Sequence, residues 1–361
     1  MADKKNIKGL NLPELRGFVE SVGAEPYRSQ QLFGWMYAKG ARSFDEMTDL
    51  SREFRTLLKK RATLGNLDIV TRQTSQLDGT TKFLFRLEDD LKIESVLIPA
   101  ERESATEAAR LTLCVSTQVG CPLDCKFCAT GAMGFSRNLT AGEIVDQVLF
   151  VQGSTDSRIS NVVFMGMGEP MLNYHNLMKS IDLLVDDGAL NIGRKHITVS
   201  TAGYADHIRR MADEGRKVRL ALSLHSLNDE KRLQLMPVNK KYPLPVLLDA
   251  VEYYYRKTRQ RPTFEYILFD GFNDTREDLQ RLVSLSKRIP SKINIIPFHS
   301  IDFTRPASIA ASLRPTPRNR IEEFARSLRM ADVTVMIRSS AGEDINAACG
   351  QLAVSEEKAM A

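Results

Sequence analysis

No stretch of this 361-residue chain reaches the eighteen or so consecutive apolar residues that a membrane-spanning helix requires. The opening residues, Met1 to Asn6, lack the apolar segment of a secretory signal, so the expected location is the cytoplasm. Cysteine is scarce: there are five, and three of them fall between positions 121 and 128, a distribution unlike that of a secreted disulfide scaffold. Neither sign of charge dominates, since 50 Lys and Arg stand against 45 Asp and Glu for a net +5. So small an excess agrees with a nucleic-acid partner without establishing one. With 43% hydrophobic and 26% charged residues the composition is that of an ordinary globular protein, and the length allows one large domain or two to three smaller ones.

What is present centres on Cys121, Cys125 and Cys128, spaced C-x3-C-x2-C just after a strand-like run at 111–118. Soft thiolates at short loop spacing can converge on a metal or an iron–sulfur cluster. A structural zinc site takes four protein ligands, and the nearest other cysteine, Cys114, lies on the preceding strand, badly placed to be the fourth. Three ligands leave one iron of a cluster open. The spacing resembles that of the radical S-adenosylmethionine (SAM) enzymes, in which three cysteines hold a [4Fe–4S] cluster and the fourth iron binds SAM. Structural zinc and buried thiols are the alternatives.

Residues 13–60 have helical apolar spacing, with Leu15, Phe18, Val19 and Val22, then Leu32, Phe33, Trp35, Met36 and Tyr37; Pro13 suits a first helical position. Basic residues Arg28, Lys39, Arg42, Arg52, Arg55, Lys59 and Lys60 are interleaved, either as a solvated face or as an RNA-docking surface. Residues 67–99 alternate in the manner of a short antiparallel meander, with an Asp78-Gly79 turn and a third strand at 93–98. Thr140 to Glu143 has capping-box spacing and opens a helix to about residue 152. Strand-like runs at 111–118, 160–167, 196–201, 218–225, 263–269 and 293–299 alternate with helical stretches, and a further strand is expected at 333–338. Repeated β-α units imply a parallel sheet, doubly wound or curled into a barrel. Polar residues end several strands: Gly168 and Glu169, Ser200, Ser223 and His225, and His299. That distribution favours an α/β fold of the incomplete (βα)6 barrel type, whose site is built at the carboxyl ends of its strands. The expected division is a helical unit at 1–62, the meander at 63–106, the partial barrel at 107–341 and a tail at 342–361.

Several features have bland readings when taken alone. Gly166-Met167-Gly168-Glu169 lets a ligand approach the backbone and offers a carboxylate to a cationic amino group, yet it is also what a tight turn looks like. His225 and His299 can be strand-end histidines bonded to a loop. The basic runs at 239–242 and 256–261 are ordinary solvated surface unless they face the mouth of the site. Cys114 and Cys349, read singly, are small buried hydrophobes.

Taken together, 113–121 with the cysteine loop, Gly166 to Pro170, Leu222 to His225, Ala347 to Leu352 and the N-terminal stretch Tyr27 to Trp35 resemble the RlmN family of dual-specificity RNA methyltransferases. The resemblance covers nearly the whole chain. It implies methylation of the C2 carbon of adenosine in large-subunit ribosomal RNA and in transfer RNAs, with one [4Fe–4S] cluster and two SAM molecules per turnover. In that mechanism Cys349 is methylated by one SAM, and a radical made from the second SAM activates its methyl group. The methyl carbon joins the base, and Cys114 closes a disulfide with Cys349 to release the RNA. The resemblance further implies Glu94 as proton acceptor and Gly168, Glu169, Ser200, Ser223, Leu224 and His225 as SAM contacts. His299 stands where the family usually has asparagine. A flavodoxin-type electron donor and a monomeric enzyme are also expected. The rivals are the related C8 methyltransferase, with the same cysteine set, and a non-catalytic RNA-binding protein with structural zinc.

Overall fold

The computed structural model of the chain describes residues 4–99 and 111–354. Two short parallel strands, β1 (Lys5–Asn6) and β2 (Ala62–Thr63), bracket an N-terminal helical unit. Its helices Leu12–Ser21, Arg28–Phe33 and Arg52–Arg61 form where the apolar spacing predicts them, and they bury Leu15, Phe18, Val19, Leu32, Phe33, Phe54 and Leu58. The first is started by Asn11, whose side chain accepts from the Glu14 N–H while Glu14 reaches back to the Asn11 N–H; Pro13 lies in its first turn.

The meander strands β3 (Asp68–Thr74), β4 (Thr81–Arg86) and β5 (Lys92–Pro99) precede β6 (Leu111–Cys114). A hairpin of β7 (Gln118–Gly120) and β8 (Phe135–Asn138) then encloses the cysteine loop. β9 (Ile159–Phe164), β10 (Ile197–Thr201), β11 (Arg219–Ser223), β12 (Thr263–Leu268), β13 (Lys292–Pro297) and β14 (Val335–Ile337) follow at the expected places. All but β1, β2, β7 and β8 form one sheet in the order β3-β4-β5-β6-β9-β10-β11-β12-β13-β14. Pairing is antiparallel up to β6 and parallel from β6 to β14, with helices between the parallel strands, which is the incomplete (βα)6 barrel with one added strand. The meander is thus continuous with the barrel sheet. The expected boundary at 106/107 lies outside the described residues.

The strand expected at 111–118 stops at Cys114 because a side chain takes over the ladder. Gln147 accepts from the Ser116 N–H (2.8 Å) and donates to the Ser116 carbonyl (3.0 Å), which frees the chain to enter β7.

The helix Ala141–Gly153, opened by the predicted capping box, carries the N-terminal unit against the barrel. A Cβ on Gly142 would stand 2.5 Å from the Lys8 carbonyl oxygen, so only glycine permits this approach. Beside it Lys8 donates to Asp146 (2.5 Å) and Asn66 (2.6 Å), and the other Asp146 oxygen accepts from the Leu67 N–H (2.7 Å). The sheet remains open between β3 and β14, and the tail crosses that gap. The Gly342 N–H donates to Asp78 (2.9 Å), the Gln76 N–H to Asp344 (3.1 Å) and Lys82 Nζ to the Asn346 carbonyl (3.4 Å).

Candidate active site

The cysteine loop is shaped by backbone constraints. Gly120 has φ +73°, and a Cβ there would meet the Gly134 carbonyl oxygen at 1.9 Å; that same oxygen accepts from the Cys121 N–H (2.7 Å). Asp124 adopts a left-handed φ of 51°, which an aspartate tolerates better than most side chains. The Cys128 N–H then donates to the Cys125 carbonyl (3.1 Å), and the three thiols line one wall of a cavity at the carboxyl ends of the strands. Burial pushes Cys121 up to about 12 and Cys125 well above the usual thiol range, and nearby thiolate charge adds to both; burial likewise raises Cys128. Three soft donors that resist ionising together fit a cationic iron–sulfur cluster, whose charge offsets that resistance.

The cavity opens to solvent, and its empty space counted through the mouth is about 840 Å³. Gly168 lines it with φ +100°, and a Cβ on Gly166 would meet the Val115 carbonyl at 2.7 Å, so the two glycines let this turn lie against the first strand's end. Glu169 is buried, one oxygen accepting from the Met171 N–H (3.0 Å) and the other from the Ala202 N–H (2.7 Å). Burial lifts its carboxyl to about 7, a cost that a bound ammonium group would relieve. Ser200 and Ser223 end β10 and β11 at the same cavity. His225, at φ 55°, accepts from the Ile267 N–H at Nδ1 (3.1 Å) and sets its ring edge-on to Phe127 of the cysteine loop, 4.6 Å between centroids. Burial depresses it to about 3, so it is neutral.

Cys349 is exposed and lines the cavity from the tail, while Cys114 is buried at the end of β6. Although 235 residues separate them in sequence (349 less 114), they are electrostatic neighbours. Burial pushes Cys114 up to about 12, the charge of Cys349 adds to the shift and Arg338 opposes it. The tail is held over the loop by two bonds, Ala129 N–H to the Gly350 carbonyl (2.7 Å) and Thr130 Oγ1 to the Leu352 carbonyl (2.6 Å).

Residues 115–283 match the radical SAM superfamily and residues 5–64 match the ribosomal RNA large subunit methyltransferase N-terminal domain. The chain belongs to the RlmN family. It is 44% identical over 359 residues to a probable dual-specificity RNA methyltransferase RlmN from Cytophaga hutchinsonii, covering 98% of this chain and 94% of that one. It is 45% identical over 349 residues to the dual-specificity RNA methyltransferase RlmN from Geobacter sulfurreducens, covering 96% and 91%. A radical SAM methyltransferase from Sphaerobacter thermophilus superposes with a TM-score of 0.87 at 38% identity, covering 96% of this chain and 98% of the other. The protein is therefore a radical SAM methyltransferase with the [4Fe–4S] cluster and SAM of that superfamily.

Within this RlmN chain the cavity gathers Cys121, Cys125, Cys128, Gly168, Glu169, Ser200, Ser223, His225 and Cys349. Four residues singled out in the sequence lie outside its lining. Cys114 is behind the wall, and Leu224 is fully buried with its N–H on the Glu265 carbonyl (3.0 Å). His299 is buried with Nδ1 3.3 Å from Glu343 of the tail. Glu94 is buried beneath the tail, 3.5 Å from Lys82 Nζ and bonded by the Ala353 N–H. Burial raises its carboxyl to about 7 against the opposing charge of Lys82.

Sequence reading passed over three charged side chains, two of them buried and Arg338 partly exposed. Arg338 lines the cavity with its guanidinium 3.7 Å from Glu265 and 3.5 Å from the Met165 sulfur. Glu265 lines it too, accepts from Asn294 (3.0 Å) and is shifted upward by burial. Both had a signal, Glu265 as a lone acid in an apolar run and Arg338 as the last residue of an expected strand. Arg232 had none, being one charge among several on the polar helix Asp229–Leu235.

Proposed function

We propose that this enzyme methylates the C2 carbon of adenosine in large-subunit ribosomal RNA and in transfer RNAs. The observation that carries the reading is that Cys114 and Cys349, two cysteines beyond the three cluster ligands, lie near enough to feel each other's charge, Cys349 on the lining of the cavity and Cys114 behind it. C2 of adenine is an electrophilic amidine carbon, so direct attack of the base on SAM is not available. A carrier residue solves this. The cluster, when bound by Cys121, Cys125 and Cys128, supplies the single electron on which radical SAM chemistry depends.

The chain's own residues do the rest. Glu169 receives the amino group of SAM while Gly168 admits it to the backbone, and Ser200, Ser223, Leu224 and His225 hold the remainder through side chains or backbone. His299 stands just beyond this set. Cys349, on the cavity side of the tail, accepts a methyl group at sulfur and carries the carbon to the base as a covalent protein–RNA adduct. Glu94, with a carboxyl near 7, takes up the C2 proton. Cys114 then gives up its thiol proton and attacks the sulfur of Cys349: an S–S bond forms, the S–C bond breaks with its electron pair on the carbon attached to the base, and that carbon takes up a proton to become the methyl group. The open mouth admits a single unstacked base, as an RNA loop or a flipped nucleotide presents it.

The enzyme works as a monomer, in the cytoplasm, with a flavodoxin-type protein as electron donor. No helix among the described residues is long and apolar enough to cross a membrane. Mass spectrometry of nucleosides from RNA treated with the holoenzyme tests the reading. The expected product is 2-methyladenosine in both RNA classes; 8-methyladenosine alone would assign the enzyme to the related C8 reaction.

A further inference from the structure

Arg232 is fully buried on the helix Asp229–Leu235, which follows β11. Its guanidinium makes four bonds, every one to a neutral oxygen. Nε donates to the Leu224 carbonyl (3.1 Å), Nη1 to Asn239 Oδ1 (2.6 Å), and Nη2 to the carbonyls of Ala202 (2.6 Å) and Ser223 (3.1 Å). None of these four bonds goes to a carboxylate. Burial lowers its pKa only to about 10, so it stays charged at neutral pH, and Cys125 is the foremost group favouring that charge, ahead of Asp229. The helix that carries it is docked on the cysteine loop, since the Leu235 carbonyl accepts from the N–H of Lys126, next to Cys125 (2.9 Å).

A buried cation bonded only to neutral groups is costly unless an anion lies near. The three thiolates outweigh the positive charge of the cluster core and leave a net anion, and Arg232 lies near enough to Cys125 to feel that charge, on a helix bonded to the cysteine loop. We propose that Arg232 is the fixed counter-charge of the iron–sulfur cluster held by Cys121, Cys125 and Cys128, and that it raises the cluster's reduction potential. The inference rests on the cluster assignment. Reduction adds a negative charge in a medium of low polarity, and a cation that cannot move away favours the reduced form. Arg232 is a positioning residue as well. Its bonds to Ala202, Ser223 and Leu224 join that cation to the ends of β10 and β11, the two strands that carry Ser200 and Ser223.

The test is the midpoint potential of the anaerobically reconstituted holoenzyme, read from the electron paramagnetic resonance signal of the reduced cluster. Arg232→Gln should lower the one-electron equilibrium constant at least tenfold, a shift of about 59 mV to more negative potential. Arg232→Lys, which restores the charge while giving up the forked bonds, should recover most of that shift. Asn239 Nδ2 donates to Asp229 (2.8 Å), so the charge is moved by a swap: Asn239→Asp with Asp229→Asn should also move the potential down, because it sets the anion where Oδ1 now accepts from Arg232 and leaves the arginine in place. The proposal is overturned if Arg232→Gln keeps the wild-type potential, or if the Lys variant behaves like the Gln variant. If Arg232→Gln takes up no iron, a wild-type potential in the Asn239→Asp, Asp229→Asn double variant overturns it. Wild-type protein that binds zinc and shows no iron–sulfur absorbance would instead sink the cluster assignment itself.

Discussion

At the scale of single residues the proposed chemistry rests on two cysteines and one carboxylate. If Cys114 resolves the adduct, Cys114→Ala should stall with RNA covalently attached to Cys349. A denaturing gel of labelled RNA would then show a protein-sized band that the Cys114→Ala, Cys349→Ala double variant lacks; normal turnover by Cys114→Ala removes it from that role. Glu94 gives a prediction with a sign. Its ordinary pKa is 4.5 and its folded value about 7, so between these the folded state holds the extra proton. Stability therefore falls as pH rises through that window, and the penalty of the buried carboxylate is fully present above 7. Glu94→Gln should accordingly melt higher than wild type at pH 8 and no higher at pH 4, while losing about 10²-fold or more in methyl transfer and the rate limb near pH 7. A melting difference independent of pH would reject the shift. The sequence drew attention to Cys349 and Cys114 because they sit in segments with a family pattern, and to Glu94 as a carboxylate between apolar neighbours. Arg232 stayed hidden because its partners, Ala202 and Ser223, lie 30 and 9 residues away and no local spacing marks a buried arginine.

At the scale of elements, the alternation of strands and helices was readable because the parallel strands are short, largely apolar runs, several of them ending in or followed by polar residues. Pairing between elements was not. That the meander extends the barrel sheet depends on β5 meeting β6, a contact no periodicity encodes. The basic run at 256–261 is likewise placed by topology: Arg261 bonds the carbonyl of Ser291 and the hydroxyl of Thr334, at the amino ends of β13 and β14, opposite the site, so it does not line the mouth. The joint between the helical unit and the barrel was also invisible, since Lys8 and Asp146 are 138 positions apart. Both side chains are almost wholly buried, and removing one partner leaves the other's charge stranded. Asp146→Ala should cost about 3–5 kcal/mol of stability, measured by denaturant unfolding. Lys8→Met combined with Asp146→Leu should recover much of that loss; a single Asp146→Ala variant as stable as wild type would show that the pair does not hold the joint.

Over the whole molecule, an excess of five positive charges is too small to bind RNA unless it is arranged. The helix Arg52–Arg61 offers an arrangement, with Arg52, Lys59, Lys60 and Arg61 exposed on the unit that matches the ribosomal RNA methyltransferase N-terminal domain. Lys59 is paired with Asp45 at 2.6 Å, which leaves Arg52, Lys60 and Arg61 as the better phosphate contacts. Each phosphate neutralised releases counterions, so the affinity for RNA falls with salt by a logarithmic slope of about 0.7–0.9 per contact. Arg52→Gln with Lys60→Gln should therefore weaken RNA binding and flatten that slope by roughly 1.5, the sum of two contacts. SAM binding measured without RNA should stay at the wild-type value, because the cavity lies on the barrel and neither residue lines it. An unchanged salt slope in the double variant would mean that this face is solvated surface and that the RNA is gripped elsewhere, at the barrel mouth.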